Sequence, residues 1–173
     1  MTRETLTLEP IADDPEVGRW LAAMQGARND TLRELGDLSD VALDWRPSSG
    51  ADSIGTILYH VALVEVDWLL VDILGTDPAP AWAEELFPDT DRSEGGQLTP
   101  IAGLTLTQHL ERLAAVRTQL LEHLRSMPVD DFIRARPRAD ADVSPVWVIH
   151  HLLQHEAEHR SQIGGLKAAH QST

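Results

Sequence analysis

The fold of this chain is decided by the stretch SPVWVIHHLLQHEAEHRSQIGGL, residues 144–166. Ser144 and Pro145 are typical of a helix start, because serine caps free backbone N–H groups and proline suits the first helical position. Beyond them, apolar residues and histidines recur at intervals of three and four, which predicts a helix with one core-facing stripe. That stripe consists of Val148, Leu152, His155, His159, Ile163 and Leu166. We therefore expect two histidines on the face that this helix turns toward its neighbours.

Three other stretches have helical signals, and no stretch alternates with period two in the manner of a strand. The first starts at Asp14 and Pro15 and ends about Gly36, the second starts after Asp52 or Ser53 and ends at Gly75, and the third starts at Thr105 and ends at Pro128. The start at Thr105 is strengthened by Gln108, which completes a capping box. The sequence therefore predicts an all-α protein built on four helices.

The segment between the second and third predicted helices, residues 76–103, is long. It contains four prolines and the turn-like pair Gly95-Gly96. A connection of this length inside a compact domain is uncommon, and it is usually functional or a crossover. We expect an overhand connection that lets the second and third helices run parallel, as in some four-helix bundles.

Length and composition exclude several classes of protein. The 173 residues suffice for one domain with a sizeable core, and we expect a single domain over residues 1–173. The net charge of −14 disfavours nucleic acid as a partner. No apolar run approaches the roughly 20 residues of a membrane span, and residues 1–10 lack the features of a signal peptide. The expectation is a cytoplasmic protein that binds neither nucleic acid nor a membrane.

The chain contains no cysteine, so a metal ion would have to be bound by histidine or carboxylate side chains. His155 and His159 lie four residues apart, which places both imidazoles on one helix face about one turn apart. The second predicted helix carries a single histidine, His60, in the apolar run ILYHV, residues 57–61. Three such ligands would form a facial set that leaves coordination positions open, as in catalytic metal centres.

Spacing alone leaves alternatives open. His151 also lies four residues from His155, so His151 and His155 could be the pair instead. A second alternative is that His60 is a hydrogen-bonded core histidine and the others form a polar seam. The remaining histidines lack such a partner, and we expect surface or supporting positions for His109, His123, His150 and His170.

The string HEAEH, residues 155–159, also matches the H-E-x-x-H motif of metalloproteases, in which the glutamate acts as general base. One class of these proteases requires glycine and histidine at positions where this chain has Gln162 and Gly165. Another class takes a downstream glutamate as third ligand, and no glutamate follows Glu158. We therefore disfavour a protease and expect Glu156 to face solvent.

Several motifs together resemble the DinB-like (DinB/YfiT) superfamily of helical-bundle metalloproteins. The carriers are LDWRP at residues 43–47, SIG at residues 53–55, His60 with Glu65 and Trp68 beyond it, and HEAEHRSQI at residues 155–163. The chain has Ser161 where many members have glycine, which leaves the histidines untouched but alters helix packing.

The resemblance implies that His60, His155 and His159 bind one divalent metal ion, with zinc, nickel, manganese and iron all open. It also implies an up-down-down-up bundle with the long crossover after the second helix, and frequent homodimers. In some members it implies transfer of a low-molecular-weight thiol, such as bacillithiol or mycothiol, to a small electrophile. The expected function is therefore a metal-dependent thiol transferase or related hydrolase acting on a small molecule. The alternative is a non-catalytic metal-binding stress-response protein.

No second catalytic group is evident from the sequence. Asp67 lies two turns beyond His60 on the same face and could orient a ligand, whereas Glu65 points off that face. For both carboxylates a solvated or helix-pairing role is favoured. We expect core positions for Trp45, Trp68 and Trp147.

Overall fold

A computed structural model describes residue 3 and residues 5–76, 79–138 and 141–173. This part of the chain is mostly helical, and its only sheet pairs two strands of two residues each. The elements are α1 (Pro15–Leu35), α2 (Asp40–Asp44), α3 (Ile54–Asp67), a π-helical segment (Trp68–Leu74), α4 (Ala81–Leu86), α5 (Leu106–Leu124), α6 (Val129–Ile133), β1 (Arg136–Pro137), β2 (Asp142–Val143) and α7 (Pro145–Gln171). The prediction of an all-α class is confirmed. Among the described residues, no helix is both long enough and apolar enough to cross a membrane.

The four predicted helix starts are confirmed by their caps. The side chains of Asp14, Ser53, Thr105 and Ser144 each accept a hydrogen bond from a backbone N–H of the first helical turn. At Thr105 the capping box is complete, since the Gln108 side chain accepts from the Thr105 N–H at 2.8 Å. These caps satisfy N–H groups that have no partner within the helix.

The helix ends follow the prediction less closely. Gly36 and Gly75 follow their helices with φ of 58° and 62°, a region that glycine enters without steric cost. The second predicted helix, however, is α-helical only to Asp67 and continues to Leu74 as π-helix. The third ends at Leu124, before Pro128. Pro128 instead precedes α6, where its missing N–H is not needed.

Several short elements were not predicted. The helices α2, α4 and α6 have five or six residues each, which is too short for a periodic pattern to be visible. The strands β1 and β2 pair through Arg136 with Val143 and Pro137 with Asp142. The connecting segment, residues 76–103, contains α4 and an isolated bridge between Arg92 and Leu98. This segment is therefore structured at several points of its described length.

Side-chain contacts show the relative directions of the long helices. The helices α1 and α7 run in the same direction, as do α3 and α5, because the numbers of their contacting residues increase together. The helix α3, with its π-helical continuation, runs opposite to α7. The pairs are Trp20 with His150 and Glu34 with Lys167, Tyr59 with Arg112 and Glu65 with Arg117, and His60 with His155 and Trp68 with Trp147. His60 of α3 and His155 of α7 therefore meet where these two antiparallel helices are in contact.

Four charged side chains lie inside the helical core, one from each long helix. Arg28, Glu65, Arg117 and Glu156 are each at most 3% exposed. Arg28 donates to Glu156 Oε1 and to Glu65 Oε2, both at 2.7 Å. Arg117 donates to Glu65 Oε1 at 2.7 Å and to Glu156 Oε2 at 3.0 Å. Two positive and two negative charges thus compensate each other through direct contacts, as buried charges require.

The remaining guanidinium donors of this buried ion network bind backbone oxygens. Arg28 Nη1 donates to the carbonyl of Leu113, and Arg117 Nη1 donates to the carbonyl of Met24. Each arginine therefore ties its own helix to the backbone of the helix opposite. The expectation that Glu156 faces solvent was wrong, because two arginines from α1 and α5 give its carboxylate charged partners inside the protein. Glu65, expected to be solvated or to pair helices, does the latter.

Candidate metal centre

Three histidines meet at the contact between α3 and α7. The Nε2 atom of His155 lies 3.1 Å from Nε2 of His60 and 3.0 Å from Nε2 of His159. One nitrogen of each ring lies within 4.8 Å of the corresponding nitrogens of the other two. All three rings therefore turn a nitrogen toward a common point. The described residues could hold a metal ion at this point.

The two helices contribute differently to this cluster. His60 lies in the apolar centre of α3 and is buried, with 5% of its surface exposed. His155 and His159 are half-buried and one turn apart on α7, so their rings stack edge to face at 4.4 Å. The cluster is consequently closed on the α3 side and accessible along α7.

The outward-facing nitrogens of two rings have oxygen partners. His60 Nδ1 lies 2.5 Å from Oδ1 of Asp91, and His159 Nδ1 lies 2.9 Å from Oε1 of Gln162. A neutral imidazole that donates its proton through Nδ1 keeps the Nε2 lone pair free for a metal. The donor set therefore fits a divalent ion bound by imidazole nitrogens.

The protonation of these rings also suits metal binding. Burial, together with the neighbouring His159 and His60, lowers the pKa of His155 to about 3. Burial likewise lowers the pKa of His159, although its hydrogen bond to Gln162 partly opposes this effect. Both rings are neutral near pH 7, which is the state that a ligating imidazole requires.

The structure brings His155 and His159 together with His60, and it places His151 outside the cluster. The ring of His151 stacks on Trp147 with centroids 5.3 Å apart and planes 6° apart, and it also contacts Trp68 at 4.9 Å. Its centroid is 6.1 Å from that of His155. His151 is thus part of an aromatic group beside the three histidines.

The tryptophans only partly follow the prediction. Trp45 and Trp68 are half-buried against the apolar core. Trp147 was expected in the core, and this was wrong, because 46% of its surface is exposed. Trp147 lies at the start of α7, where its ring stacks on His151 and contacts Trp68 at 5.5 Å.

Among the other histidines, His109 was expected at a surface or supporting position. It is instead deeply buried, with 1% of its surface exposed. It lies on α5 beside Gly55, away from the three-histidine cluster. Its Nδ1 atom has no hydrogen-bond partner among the described residues.

The carboxylate that contacts the cluster is Asp91, which sequence reasoning missed. Asp67, the carboxylate considered for this role, is exposed, and Glu65 belongs to the buried ion network. Asp91 lies 31 residues after His60 in the connecting segment, so no helical spacing links the two. The length of that segment was the one available signal.

The geometry also bears on the protease motif. Both carboxylate oxygens of Glu156 accept hydrogen bonds from the buried arginines Arg28 and Arg117. This side chain therefore points into the core rather than toward the histidine cluster, and it is not placed to act on a water molecule there. The H-E-x-x-H spacing is present without the arrangement that gives it its protease function.

Three imidazoles from two helices of a helical protein, one of them in contact with a carboxylate, define a candidate mononuclear metal site. The chain belongs to the DinB superfamily, whose family model matches residues 23–163. The matched region contains the three histidines and Asp91, and the resemblance to this family is confirmed. No curated protein matches the chain.

Proposed function

We propose that the protein binds one divalent metal ion through His60, His155 and His159. The observation that carries this proposal is the convergence of three Nε2 atoms while the outer nitrogens of two rings face Asp91 and Gln162. Imidazole nitrogens suit zinc, nickel, manganese and iron alike, so the donor set leaves the identity of the metal open.

Elemental analysis of protein purified without an affinity tag tests this proposal. We expect about one metal ion per chain, and sharply reduced occupancy in His60→Ala, His155→Ala and His159→Ala. His123→Ala serves as the exposed control and His109→Ala as the buried control, and both should retain the metal. His151→Ala should weaken binding less than His159→Ala, and the reverse order would show that the wrong pair of histidines had been chosen.

We further propose an enzymatic role, the transfer of a low-molecular-weight thiol to a small electrophile. A divalent ion bound by three neutral imidazoles would keep its positive charge and would have unfilled coordination positions. It would therefore act as a Lewis acid to which a thiol could bind as thiolate near neutral pH. In the reaction a sulfur–carbon bond forms, the leaving group departs with its electron pair, and the thiol proton passes to solvent. The chain itself contributes the three imidazoles, the Asp91 contact that orients His60, and the buried wall of α3.

Rate measurements distinguish this activity from metal binding without catalysis. Metal-loaded protein is given bacillithiol or mycothiol with a panel of soft electrophiles, and compared with metal-free protein and with His155→Ala. Faster consumption of an electrophile only in the loaded protein would support the transferase. If fully loaded protein shows no metal-dependent rate over a broad panel, the non-catalytic metal-binding protein is the better description.

We also propose that the long helices form an up-down-down-up four-helix bundle, with residues 76–103 as the crossover. This proposal is supported by the contact order: α1 with α7, and α3 with α5, run in the same direction, whereas α3 and α7 run in opposite directions. Residual dipolar couplings of the backbone amides, which report helix orientation, test it. Antiparallel α3 and α5 would contradict it.

A further inference from the structure

We propose that Asp91 is the positioning residue of the metal centre: it fixes the tautomer and orientation of His60 and thereby sets the metal affinity of the whole cluster. This inference rests on the proposed metal binding. It assigns a specific role to the connecting segment, residues 76–103, which otherwise only joins two helices.

The carboxylate of Asp91 is held on both of its oxygens. Its Oδ1 lies 2.5 Å from Nδ1 of His60, within hydrogen-bonding distance. Its Oδ2 lies 3.3 Å from Nε of Arg92. The histidine and the guanidinium thus contact different oxygens of the same carboxylate.

The backbone around Asp91 forms a small closed turn. The carbonyl of Asp91 accepts from the N–H of Thr99 at 2.9 Å, and Arg92 forms an isolated bridge with Leu98. Arg92 Nη1 also donates to the carbonyl of Gly96 at 2.8 Å. The turn therefore fixes Asp91 by its main chain as well as by its side chain.

The same segment is attached to α3 one residue before His60. The Tyr59 hydroxyl donates to the carbonyl of Asp89 at 2.8 Å, and it accepts from the N–H of Asp89 at 3.0 Å. Consecutive residues of α3, Tyr59 and His60, thus bind positions 89 and 91 of the segment. This double attachment aligns the Asp91 carboxylate with the ring of His60.

The expected consequence follows from the chemistry of imidazole. A carboxylate at Nδ1 keeps the proton on that nitrogen, leaves the lone pair on Nε2 and makes the ring a better donor to a metal. Loss of such a carboxylate generally costs 10- to 100-fold in metal affinity.

The experiment compares Asp91→Ala and Asp91→Asn with Asp89→Ala. Asp89 is a matched control, because its side chain is exposed, it lies two residues away in the same segment, and its replacement removes the same charge. The first measurement uses metal-free protein labelled with ¹⁵N-histidine, and reads the tautomer of each ring from long-range ¹H–¹⁵N correlations. The signals of His60 are identified by their absence from His60→Gln.

In the wild type and Asp89→Ala we expect His60 to carry its proton on Nδ1 in a single tautomer. In Asp91→Ala we expect a mixture of tautomers. The second measurement is zinc affinity by competition with a chelator. The dissociation constant should rise roughly 10- to 100-fold in Asp91→Ala and stay within about twofold in Asp89→Ala. Asp91→Asn retains an acceptor oxygen without the charge and should fall between them.

Two results would overturn the inference: an unchanged His60 tautomer in Asp91→Ala, or a zinc affinity equal to that of Asp89→Ala. Circular dichroism establishes that each variant is folded, and Asp91→Asn, which keeps the side-chain shape, carries the test if the alanine variant does not fold. A wild type that binds no metal would refute the proposed function. The tautomer measurement would still decide the role of Asp91, so the two failures are distinguishable.

Discussion

The buried ion network makes a specific prediction for Glu65→Gln. In the native protein, Glu65 Oε1 accepts from Arg117, and Oε2 accepts from both Arg28 and Arg117. Burial raises the pKa of Glu65, but the charges of Arg117 and Arg28 outweigh burial and hold the pKa below its ordinary value. The carboxylate is therefore ionised at neutral pH, and the substitution removes a full charge while preserving shape.

The cost can be bounded from these contacts. The variant leaves two guanidinium groups facing one carboxylate, that of Glu156, and it turns an amide NH₂ toward donors where an oxygen had accepted. Removing one partner of a buried ion pair typically costs about 3–5 kcal/mol, because the remaining charge is buried without compensation. For a chain of this size each kcal/mol lowers the melting temperature by roughly 2–4 °C. We therefore expect a decrease of about 6–20 °C.

Thermal and urea unfolding followed by circular dichroism measure this effect. The control is Glu111→Gln on α5, the same substitution at an exposed position, which should change stability by less than about 0.5 kcal/mol. The double variant Glu65→Gln/Arg117→Gln restores the balance of charge. Its destabilisation should be smaller than the sum of the two single effects by more than about 1 kcal/mol.

A loss of under 1 kcal/mol in Glu65→Gln would refute this reasoning. It would mean that water or a rearranged side chain compensates the remaining arginine, so that the network is not closed as its distances indicate. Strict additivity in the double variant would contradict the coupling between Glu65 and Arg117 in the same way.

Three other outcomes are expected. Burial and the nearby Arg112 lower the pKa of His109 to about 4, although Asp44 acts in the opposite direction. The folded protein therefore keeps this ring neutral at a pH where the unfolded chain, with a pKa near 6.5, already protonates it. The stability contributed by this neutral ring is present above pH 6.5 and is lost as the pH falls toward 4. Between pH 7 and 5, urea titrations should therefore show about 2 kcal/mol less loss of stability in His109→Gln than in the wild type. Equal pH dependence of the two proteins would contradict this. A metal ion at hundredfold excess over its dissociation constant should add roughly 2.7 kcal/mol to the free energy of unfolding. Chelation of metal-loaded protein should therefore lower the melting temperature, and an unchanged melting curve would show that the metal does not stabilise the fold. Gly75→Ala, at φ 62°, should destabilise by about 1 kcal/mol, whereas Gly26→Ala within α1 should stabilise by up to about 1 kcal/mol; equal signs in chemical denaturation would show that backbone conformation is not the cause.

The helices could be predicted where their signals are local. Asp14, Ser53, Thr105 and Ser144 cap helices through groups two or three residues away, so a short sequence window contains the whole interaction. The histidine cluster was partly predictable, because the spacing of His155 and His159 shows that they share a helix face. Spacing could not choose between His151 and His159, and the choice came from the family resemblance.

The rest depends on contacts between distant parts of the chain. Nothing adjacent to Glu156 in the sequence indicates that Arg28, 128 residues earlier, lies against it. Its position beside His155 instead suggested a solvent-facing residue of a protease motif. Asp91 and the π-helical segment were missed for related reasons: a loop residue has no period, and one extra residue in a helical turn leaves the apolar composition unchanged.

The buried ion network has a consequence for the chain during its synthesis. Arg28, Glu65 and Arg117 leave the ribosome well before Glu156, so a nascent chain that lacks α7 holds two arginines and a single glutamate for the interior. Such an intermediate cannot close its core without burying an excess positive charge, and the early helices gain their full stability only when Glu156 arrives. His155 is made immediately before Glu156, so completion of the core and assembly of the histidine cluster coincide in time. If the cluster binds a metal ion as proposed, the complete set of three histidines is available to it only after α7 has been made.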